Sequence, residues 1–343
     1  MGLDTWITPR LDAVERALAA CLPGDELVPT RLHEAMRHAV LGGGKRVRAL
    51  LCLATAEALQ AKHAAALKAA CAIELLHAYS LVHDDMPCMD NDILRRGKPT
   101  VHVAFGEATA LLVGDGLQAL AFEVLCSLAT EDLPPLQVIA ALDSLAKAAG
   151  PAGMVGGQAV DLALAGSAQH VDPACDLPTL EAMHRRKTGA LLAASVELGM
   201  CCASDAGART VAAPHLRRFA QAIGLAFQIV DDVLDVESDS ATLGKTAGKD
   251  SAMAKPTYVS LLGLAEARRR AQALHHEAHA ALHALASLPG AFPAHGMAMG
   301  DGPGRPAHQR ADIGAQSPVR HPQTEGKLAR LGELADLIIM RRS

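Results

Sequence analysis

Residues 77–92 read HAYSLVHDDMPCMDND, an apolar helical stretch that runs into a group of aspartates. Residues 224–236, GLAFQIVDDVLDV, place a second group on another apolar segment. A carboxylate is rarely buried alone, because an unpaired charge in an apolar interior costs on the order of several kcal/mol. Two such groups therefore indicate a cation between them, and oxygen ligands favour Mg²⁺. The candidate metal ligands are Asp84, Asp85, Asp90, Asp231 and Asp235.

The two aspartate groups differ in their predicted local structure. Asp231 and Asp235 are one helical turn apart and share a face, and Gln228 precedes them on the inward side of the same helix. In the first group, Pro87 disfavours helix at the residue before it and removes a hydrogen-bond donor. The helix should therefore open there, and Asp90 should reach the site from a loop.

Basic residues near both groups indicate a phosphorylated ligand, because Mg²⁺ in proteins usually binds only one or two carboxylates together with water and substrate phosphate. Arg95 and Arg96 follow the first group, and Lys245 and Lys255 follow the second. Residues 42–48, GGGKRVR, add Lys and Arg after a glycine turn with no neighbouring acid. Their spacing does not match the nucleotide-binding GxxxxGK[ST] loop.

The composition predicts one all-α body. The chain has 343 residues, of which 50% are hydrophobic, 2% aromatic and 20% charged, and alanine and leucine fill most apolar positions. A net charge of −5 gives no global field for nucleic acid. Apolar runs are interrupted by charges such as Asp115 and Glu123, and no export signal is indicated, so we expect a cytoplasmic protein without a stable membrane anchor.

We expect about ten helices in a single catalytic domain that spans residues 1–288 and is completed by a C-terminal helix in residues 327–343. Between them, residues 289–326 are dominated by Pro, Gly, His and Gln and show no apolar periodicity. Compact domains rarely contain more than about 15 structureless residues, so this segment is predicted to be a disordered insertion.

Other candidates have a plain structural interpretation beside the functional one. His77 lies two turns before Asp84 on the same helical face, but a lone histidine there is more often a core residue. Lys187 and Thr188 follow further basic residues, which fits surface charge as well as phosphate binding. The histidines in residues 275–283 could chelate zinc, but we interpret them as solvated surface because no HExxH order and no second ligand cluster is present.

Several ordered motifs resemble the trans-isoprenyl diphosphate synthases, most closely the bacterial farnesyl diphosphate synthases. They are LGGGKRVR at 41–48, HAYSLVHDDMPCMDND at 77–92, LRRGKPTVH at 94–102, GMVGGQAVDL at 153–162, HRRKTGALL at 184–192, GLAFQIVDDVLDV at 224–236, TLGKTAGKD at 242–250 and KPTY at 255–258. The resemblance implies a single-domain isoprenoid-synthase-type helical bundle around a deep central cavity, usually as a homodimer.

The resemblance also implies a reaction and roles for the candidate residues. The reaction is head-to-tail (1'-4) condensation of isopentenyl diphosphate with an allylic diphosphate, with three Mg²⁺ ions held by the five aspartates. The allylic diphosphate would contact Arg95, Lys187, Lys245 and Lys255, with Thr188 and Gln228 near the reacting carbons. The isopentenyl diphosphate would contact Lys45, Arg48, His77 and Arg96.

Product length should depend on what lies beneath the first aspartate motif. Tyr79 lies five residues before Asp84, about 7.5 Å along a helix. In the resembled family an aromatic residue there accompanies a fifteen-carbon product. Tyr79 and the adjacent Ser80 are therefore the candidate floor, meaning the residues that close the bottom of the cavity and limit chain length. The alternative is that Tyr79 merely packs in the core, with a ten- or twenty-carbon product.

Two other classes of protein remain as alternatives. A class I terpene cyclase would also be all-α, but it would carry an Asn/Ser/Glu metal motif in place of residues 231–235 and would lack Lys45 and Arg48. A noncatalytic subunit that binds prenyl diphosphates and modulates another synthase would tend to lose its aspartates.

Overall fold

The structure, a computed structural model, describes residues 2–24, 26–166, 175–237, 255–288 and 322–340. Within these ranges it is all-α apart from one two-stranded hairpin, which confirms the predicted fold class. The α-helices are α1 (Leu3–Cys21), α2 (Thr30–Val40), α3 (Val47–Ala58), α4 (His63–Asp84), α5 (Val101–Phe105), α6 (Glu107–Cys126), α7 (Pro135–Ala149), α8 (Met154–Gly166), α9 (Leu177–His184), α10 (Ala190–Cys201), α11 (Ala206–Glu237), α12 (Tyr258–Leu262), α13 (Leu264–Ala286) and α14 (Pro322–Ile339). The hairpin pairs β1 (Leu94–Arg95) with β2 (Lys98–Pro99).

The helices are more numerous than the ten expected, partly because short helices such as α5 and α12 have only five residues each. The last helix begins at Pro322 rather than at 327, so residues 322–326 are helical and do not belong to the predicted insertion. Residues 289–321 lie outside the described part of the chain, and an insertion there stays a prediction.

Helix α4 is the centre of the first core. It packs against α3, α6 and α10, and small residues such as Ala69 and Ala72 are buried beside larger ones such as Leu75 and Leu76. Burial of each large side chain contributes about 1.5–3 kcal/mol relative to exposure. The helix ends at Asp84, three residues before Pro87, as the sequence predicted.

A second core surrounds α11. This 32-residue helix packs along α13 and also contacts α10, α12 and α14, with Phe219 and Ile223 fully buried. The two aspartate motifs therefore sit at the ends of two long helices whose directions are each held by a separate hydrophobic core.

By length and composition, three segments of the described chain could cross a membrane: His63–Asp84, Glu107–Glu131 and Pro135–Leu164. Charges do interrupt these apolar segments, as Asp115 and Glu123 do in the second, but they are too few to exclude a membrane span by composition. In the first segment, 72% of the most apolar window is buried inside the fold, compared with 39% in each of the other two. The latter two expose much of their apolar surface.

Candidate active site

The first aspartate motif folds back on the end of α4. The backbone N–H of Asp90 donates to the carbonyl of Asp84 at 2.9 Å, and that of Asp92 donates to the carbonyl of Asp85 at 3.1 Å. Asn91 adopts the left-handed conformation, with φ of 51°, that this reversal requires. Asp90 thus reaches the end of α4 from a loop, which confirms the prediction.

Asp84 lies in surroundings that oppose its negative charge. Loss of water on burial, with a contribution from Asp90 and Asp85, raises the pKa of Asp84 to about 6 although Lys187 opposes the shift. Carboxylates that repel one another in this way are suited to a divalent cation, which would offset their mutual repulsion. The donor set of the motif therefore fits Mg²⁺.

Asp85 was expected to bind metal, but in the structure it is paired with Arg95. Its side chain is buried, and both of its oxygens accept hydrogen bonds from Arg95, at 2.9 Å from Nε and 2.6 Å from Nη2. A bidentate pair of this kind is strong and directional. Asp85 therefore orients Arg95, and Asp84 and Asp90 are the motif's better candidates for metal ligands.

Lys187 and Thr188 lie on a π-helical turn, Arg185–Gly189, between α9 and α10. The turn fits closely between two glycines: a Cβ at Gly157 of α8 would lie 2.2 Å from the backbone nitrogen of Lys187, and one at Gly224 of α11 would lie 3.0 Å from Cα of Gly189. Single π turns often occur at functional sites. The glycines of two separate motifs therefore allow this turn to enter the site.

Sequence reasoning did not single out Asp161, on α8, which contacts two of the candidate cations. Its Oδ2 lies 2.6 Å from Nζ of Lys187 and 3.3 Å from Nζ of Lys255, and Lys255 also lies 3.3 Å from Asp90. Burial would raise the pKa of Asp161, but the two lysines outweigh it and lower that pKa. The only signal in the sequence is an acid within GMVGGQAVDL, far from any cation.

The second aspartate motif lies on α11. Its middle residue, Asp232, is buried and accepts hydrogen bonds from the Gln228 amide at 2.9 Å and from the backbone N–H of Tyr258 at 2.8 Å. Thr188 donates to the Gln228 carbonyl oxygen at 3.2 Å. Asp231 and Asp235 are half-buried on the helix, one turn apart. Asp232 thus anchors the motif, and Asp231 and Asp235 are its candidates for metal ligands.

The glycine turn before α3 is held by Arg46. Gly42, Gly43 and Gly44 all have positive φ, and Arg96 donates to the Gly43 carbonyl. Arg46 is buried and pairs with Glu15 at 2.8 Å and with Glu74 of α4 at 3.4 Å. The view that no acid accompanies this basic group is therefore wrong for Arg46, because its partners come from distant helices. Lys45 is exposed at the end of the turn.

Arg48 and His77 line a cavity of about 400 Å³ together with Asp84, Lys187 and Thr188. Nε of Arg48 is buried and has no hydrogen-bond partner among the residues the structure describes. Desolvation lowers the pKa of Arg48 to about 10. Desolvation and the neighbouring arginines lower the pKa of His77 well below its usual value, so its ring is neutral at pH 7. Arg48 therefore gives this wall of the cavity a positive charge suited to an anion, and the neutral ring of His77 lies beside it.

Tyr79 and Ser80 line the same cavity, one turn below Asp84. Tyr79 is 8% exposed, and its ring meets His83 edge-on with the centroids 5.1 Å apart. His83 contacts the Leu111 carbonyl at 3.1 Å and lies where a Cβ at Gly114 of α6 would be. Lys245, the remaining candidate, lies outside the described residues.

If the chain catalyses the condensation that its sequence motifs imply, replacing Asp161 by asparagine should lower kcat for that reaction roughly tenfold to a hundredfold, because small displacements of groups that position substrate are costly in rate. The loss would come from Lys187 and Lys255, whose ammonium groups Asp161 holds. Steady-state kinetics would measure it. Asp161→Glu should recover part of the rate, and Asp143→Asn, which alters an exposed pair with Lys147, should not change it. A rate for Asp161→Asn equal to the unmodified enzyme would contradict this positioning role.

His184 should make the fold less stable in acid. Its ring is buried and stacked on Tyr258, and burial, the largest influence, lowers its pKa to about 4 from 6.5. Between these values the unfolded chain binds a proton that the folded chain does not, so the free energy of unfolding falls as pH decreases through this window. The full effect is on the order of 3 kcal/mol, complete near pH 4 and absent above about pH 6.5.

Denaturant unfolding at pH 7, 5 and 4, with a chelator present, would measure this effect. His184→Phe keeps an aromatic ring but cannot ionise, so its stability should fall less than that of the unmodified chain as the pH is lowered. His276→Gln, at an exposed position, should follow the unmodified chain. Parallel pH profiles for His184→Phe and the unmodified chain would refute the assignment.

Comparison with known proteins agrees with this arrangement. The profile of the polyprenyl synthetase family matches residues 29–286. The chain is 46% identical over 276 residues to the chloroplastic heterodimeric geranylgeranyl pyrophosphate synthase large subunit 1 of Arabidopsis thaliana, covering 80% of this chain and 72% of the relative. It is 48% identical over 257 residues to the farnesyl diphosphate synthase of Escherichia coli, covering 75% of this chain and 83% of the relative.

A solved structure is also similar. The geranyltransferase of Helicobacter pylori, complexed with magnesium and isoprenyl diphosphate, matches with a TM-score of 0.70 and 33% sequence identity. The match covers 83% of this chain and 92% of that chain. The family profile, over residues 29–286, spans the helices that carry both aspartate motifs.

Proposed function

The chain belongs to the polyprenyl synthetase family of prenyltransferases, and we propose that it makes farnesyl diphosphate. In this proposal it condenses isopentenyl diphosphate with dimethylallyl diphosphate and then with geranyl diphosphate, releasing pyrophosphate at each step. Relatives named as geranylgeranyl synthases are about as similar as those named as farnesyl synthases. The choice between the two products therefore rests on the cavity.

Asp84, Asp90, Asp231 and Asp235 would hold three Mg²⁺ ions, in keeping with the magnesium in the Helicobacter pylori structure. When bound, these ions neutralise the charge that develops on the departing diphosphate. The fit rests on the all-oxygen donor set and on the raised pKa of Asp84.

Lys187, Lys255 and Arg95 would hold the departing diphosphate of the allylic substrate. Each is already oriented by a carboxylate: Asp161 holds both lysines, and Asp85 holds the guanidinium. Groups that are oriented before the reaction stabilise developing charge without reorganising, and this is usually the largest contribution to such catalysis.

Thr188 and Gln228 would lie beside the allylic cation that forms when the diphosphate leaves. Their hydrogen bond fixes both side chains, and the Gln228 amide is fixed further by Asp232. Oxygen dipoles in fixed orientation can stabilise a positive charge without forming a bond to it. Apolar residues of the cavity wall, such as Met154 and Leu191, would exclude water that could quench the cation.

Arg48, His77 and Arg96, with Lys45, would hold the diphosphate of isopentenyl diphosphate. The support is that Arg48 lines the cavity and that its buried Nε has no acceptor among the described residues. Because His77 is neutral, its ring can donate one hydrogen bond and adds no further repulsion to the arginines.

One observation supports the assignment of a fifteen-carbon product, namely the position of Tyr79 beneath Asp84. The ring lines the cavity, is nearly buried and is braced by His83. A growing chain that leaves the metal site along α4 would meet this ring after about 7.5 Å. Ser80, whose hydroxyl donates to the His77 carbonyl at 2.8 Å, would line the same wall.

The test is to incubate the purified protein with Mg²⁺, isopentenyl diphosphate and either dimethylallyl or geranyl diphosphate, and to identify the products by chromatography and mass spectrometry. Farnesyl diphosphate from both starters is the expected result. Geranylgeranyl diphosphate as the product would support the condensation reaction but show that Tyr79 does not limit chain length to fifteen carbons. No condensation by a folded sample would favour the noncatalytic prenyl-diphosphate-binding subunit.

We propose further that the chain forms a homodimer through α6, α7 and α8. These helices expose large apolar side chains, namely Leu111, Leu112, Leu136, Ile139, Val155 and Leu162. Val155 and Leu162 also line the cavity, so a second copy would cover its outer wall. Sedimentation analysis should give twice the mass of one chain, and a single-chain mass at micromolar concentration would reject the dimer.

A further inference from the structure

Two histidines of α13 and one aspartate of α14 form a compact cluster away from the candidate active site. Nε2 of His275 and Nε2 of His279 lie 2.6 and 2.8 Å from the same oxygen, Oδ1 of Asp336. The three ligand atoms all lie within 4.8 Å of one another. The interpretation of this histidine tract as solvated surface holds for His276 and His283, which are exposed, but is wrong for His275, which is buried. The expectation that no further ligand is present is also wrong, because α14 supplies Asp336.

The cluster has the ligand types of a transition-metal site. Two histidines at i and i+4 present their Nε2 atoms on one side of a helix, and a carboxylate completes a three-ligand set known from zinc sites. Tetrahedral ligands at Zn–N and Zn–O distances near 2.1 Å are about 3.4 Å apart. The present separations from Asp336 are shorter than this by less than an ångström, so small side-chain rotations would admit an ion.

The surroundings leave room for a fourth ligand. A cavity of about 430 Å³ borders His279 and Asp336, and it is also lined by His283, one turn after His279, and by Glu333, one turn before Asp336. Gly332 allows the close approach of α14, since a Cβ there would lie 3.2 Å from Cε1 of His279. Water, His283 or Glu333 could therefore complete the coordination.

We propose that His275, His279 and Asp336 bind a divalent transition-metal ion, zinc foremost, which fastens α14 to α13. The imidazole nitrogens distinguish this site from the all-carboxylate motifs at residues 84–90 and 231–235, because nitrogen ligands favour zinc over magnesium. The ion would link residues 57 positions apart in sequence. It would add a coordinate bond to the apolar contacts by which α14 packs on α3, α11 and α13.

Cobalt titration of the full chain tests the proposal. The protein is stripped with a chelator and saturated with Mg²⁺ to fill the aspartate motifs, and Co²⁺ is then added while the visible d–d absorption is recorded. The expected result is one equivalent of Co²⁺ per chain with a tetrahedral spectrum, displaced by Zn²⁺. Added Zn²⁺ should also raise the unfolding temperature of the chain.

Matched variants identify the ligands. His279→Gln and Asp336→Asn should weaken Co²⁺ binding by at least roughly a hundredfold and abolish the zinc-dependent rise in unfolding temperature. His276→Gln, next to the cluster but exposed, and Asp84→Asn, in the active site, should leave both unchanged. Circular dichroism of each metal-free variant checks its fold. The proposal is overturned if Co²⁺ does not bind in the presence of Mg²⁺, or if Asp84→Asn and not the cluster variants removes the signal.

Discussion

Replacing Lys187 by glutamine should lower kcat by about 10²–10³-fold while changing the KM for the allylic substrate much less. Losing one preorganised group that stabilises developing negative charge typically has an effect of this size, equivalent to roughly 3–4 kcal/mol in the barrier. Lys187 enters the site on a π turn and is oriented by Asp161 at 2.6 Å. Steady-state kinetics with geranyl and isopentenyl diphosphates would measure the change.

The control for this variant is Lys147→Gln. Lys147 is exposed on α7 and pairs only at the surface with Asp143, at 2.7 Å, so its removal should leave kcat within about twofold. A Lys187→Gln enzyme that retains more than about a tenth of the original kcat would show that the departing diphosphate is held elsewhere. Circular dichroism would confirm that both variants are folded.

Replacing Tyr79 by alanine should shift the main product from fifteen carbons to twenty or more. The phenol ring occupies the cavity beneath Asp84, and its removal leaves space for at least part of another isoprene unit. Loss of a buried aromatic ring also costs about 3 kcal/mol in stability, so the assay belongs well below the unfolding temperature. Mass spectrometry of the hydrolysed products would show the distribution.

Tyr79→Phe is the matched variant, because it keeps the ring and its edge-on contact with His83 but removes the hydroxyl. It should continue to make farnesyl diphosphate. If both variants make only the fifteen-carbon product, the floor lies at another residue. If both make longer products, the hydroxyl rather than the ring limits growth.

The sequence alone was sufficient for features that depend on local geometry. Alanine- and leucine-rich periodicity predicted helices, and Pro87 predicted the end of α4 and the loop that brings Asp90 back to Asp84. The helical repeat placed Asp231 and Asp235 one turn apart. These features are decided within a few residues, by backbone sterics and by the repeat of the helix.

Packing decided which charged groups meet. Asp161 meets Lys187 across 26 positions, Glu74 meets Arg46 across 28, and Asp336 meets His275 across 61. No local sequence pattern indicates these pairs, because the sequence around an acid on one helix is the same whether the acid contacts a lysine on another helix or water. Hydrophobic burial fixes the helices relative to one another and so decides which charged groups meet. The attraction between two charges weakens with distance, so an ion pair becomes strong only after packing has brought the groups close together and removed water from them. Chain-local sterics thus determined the helices and the aspartate spacing, whereas the tertiary fold determined which carboxylates orient cations.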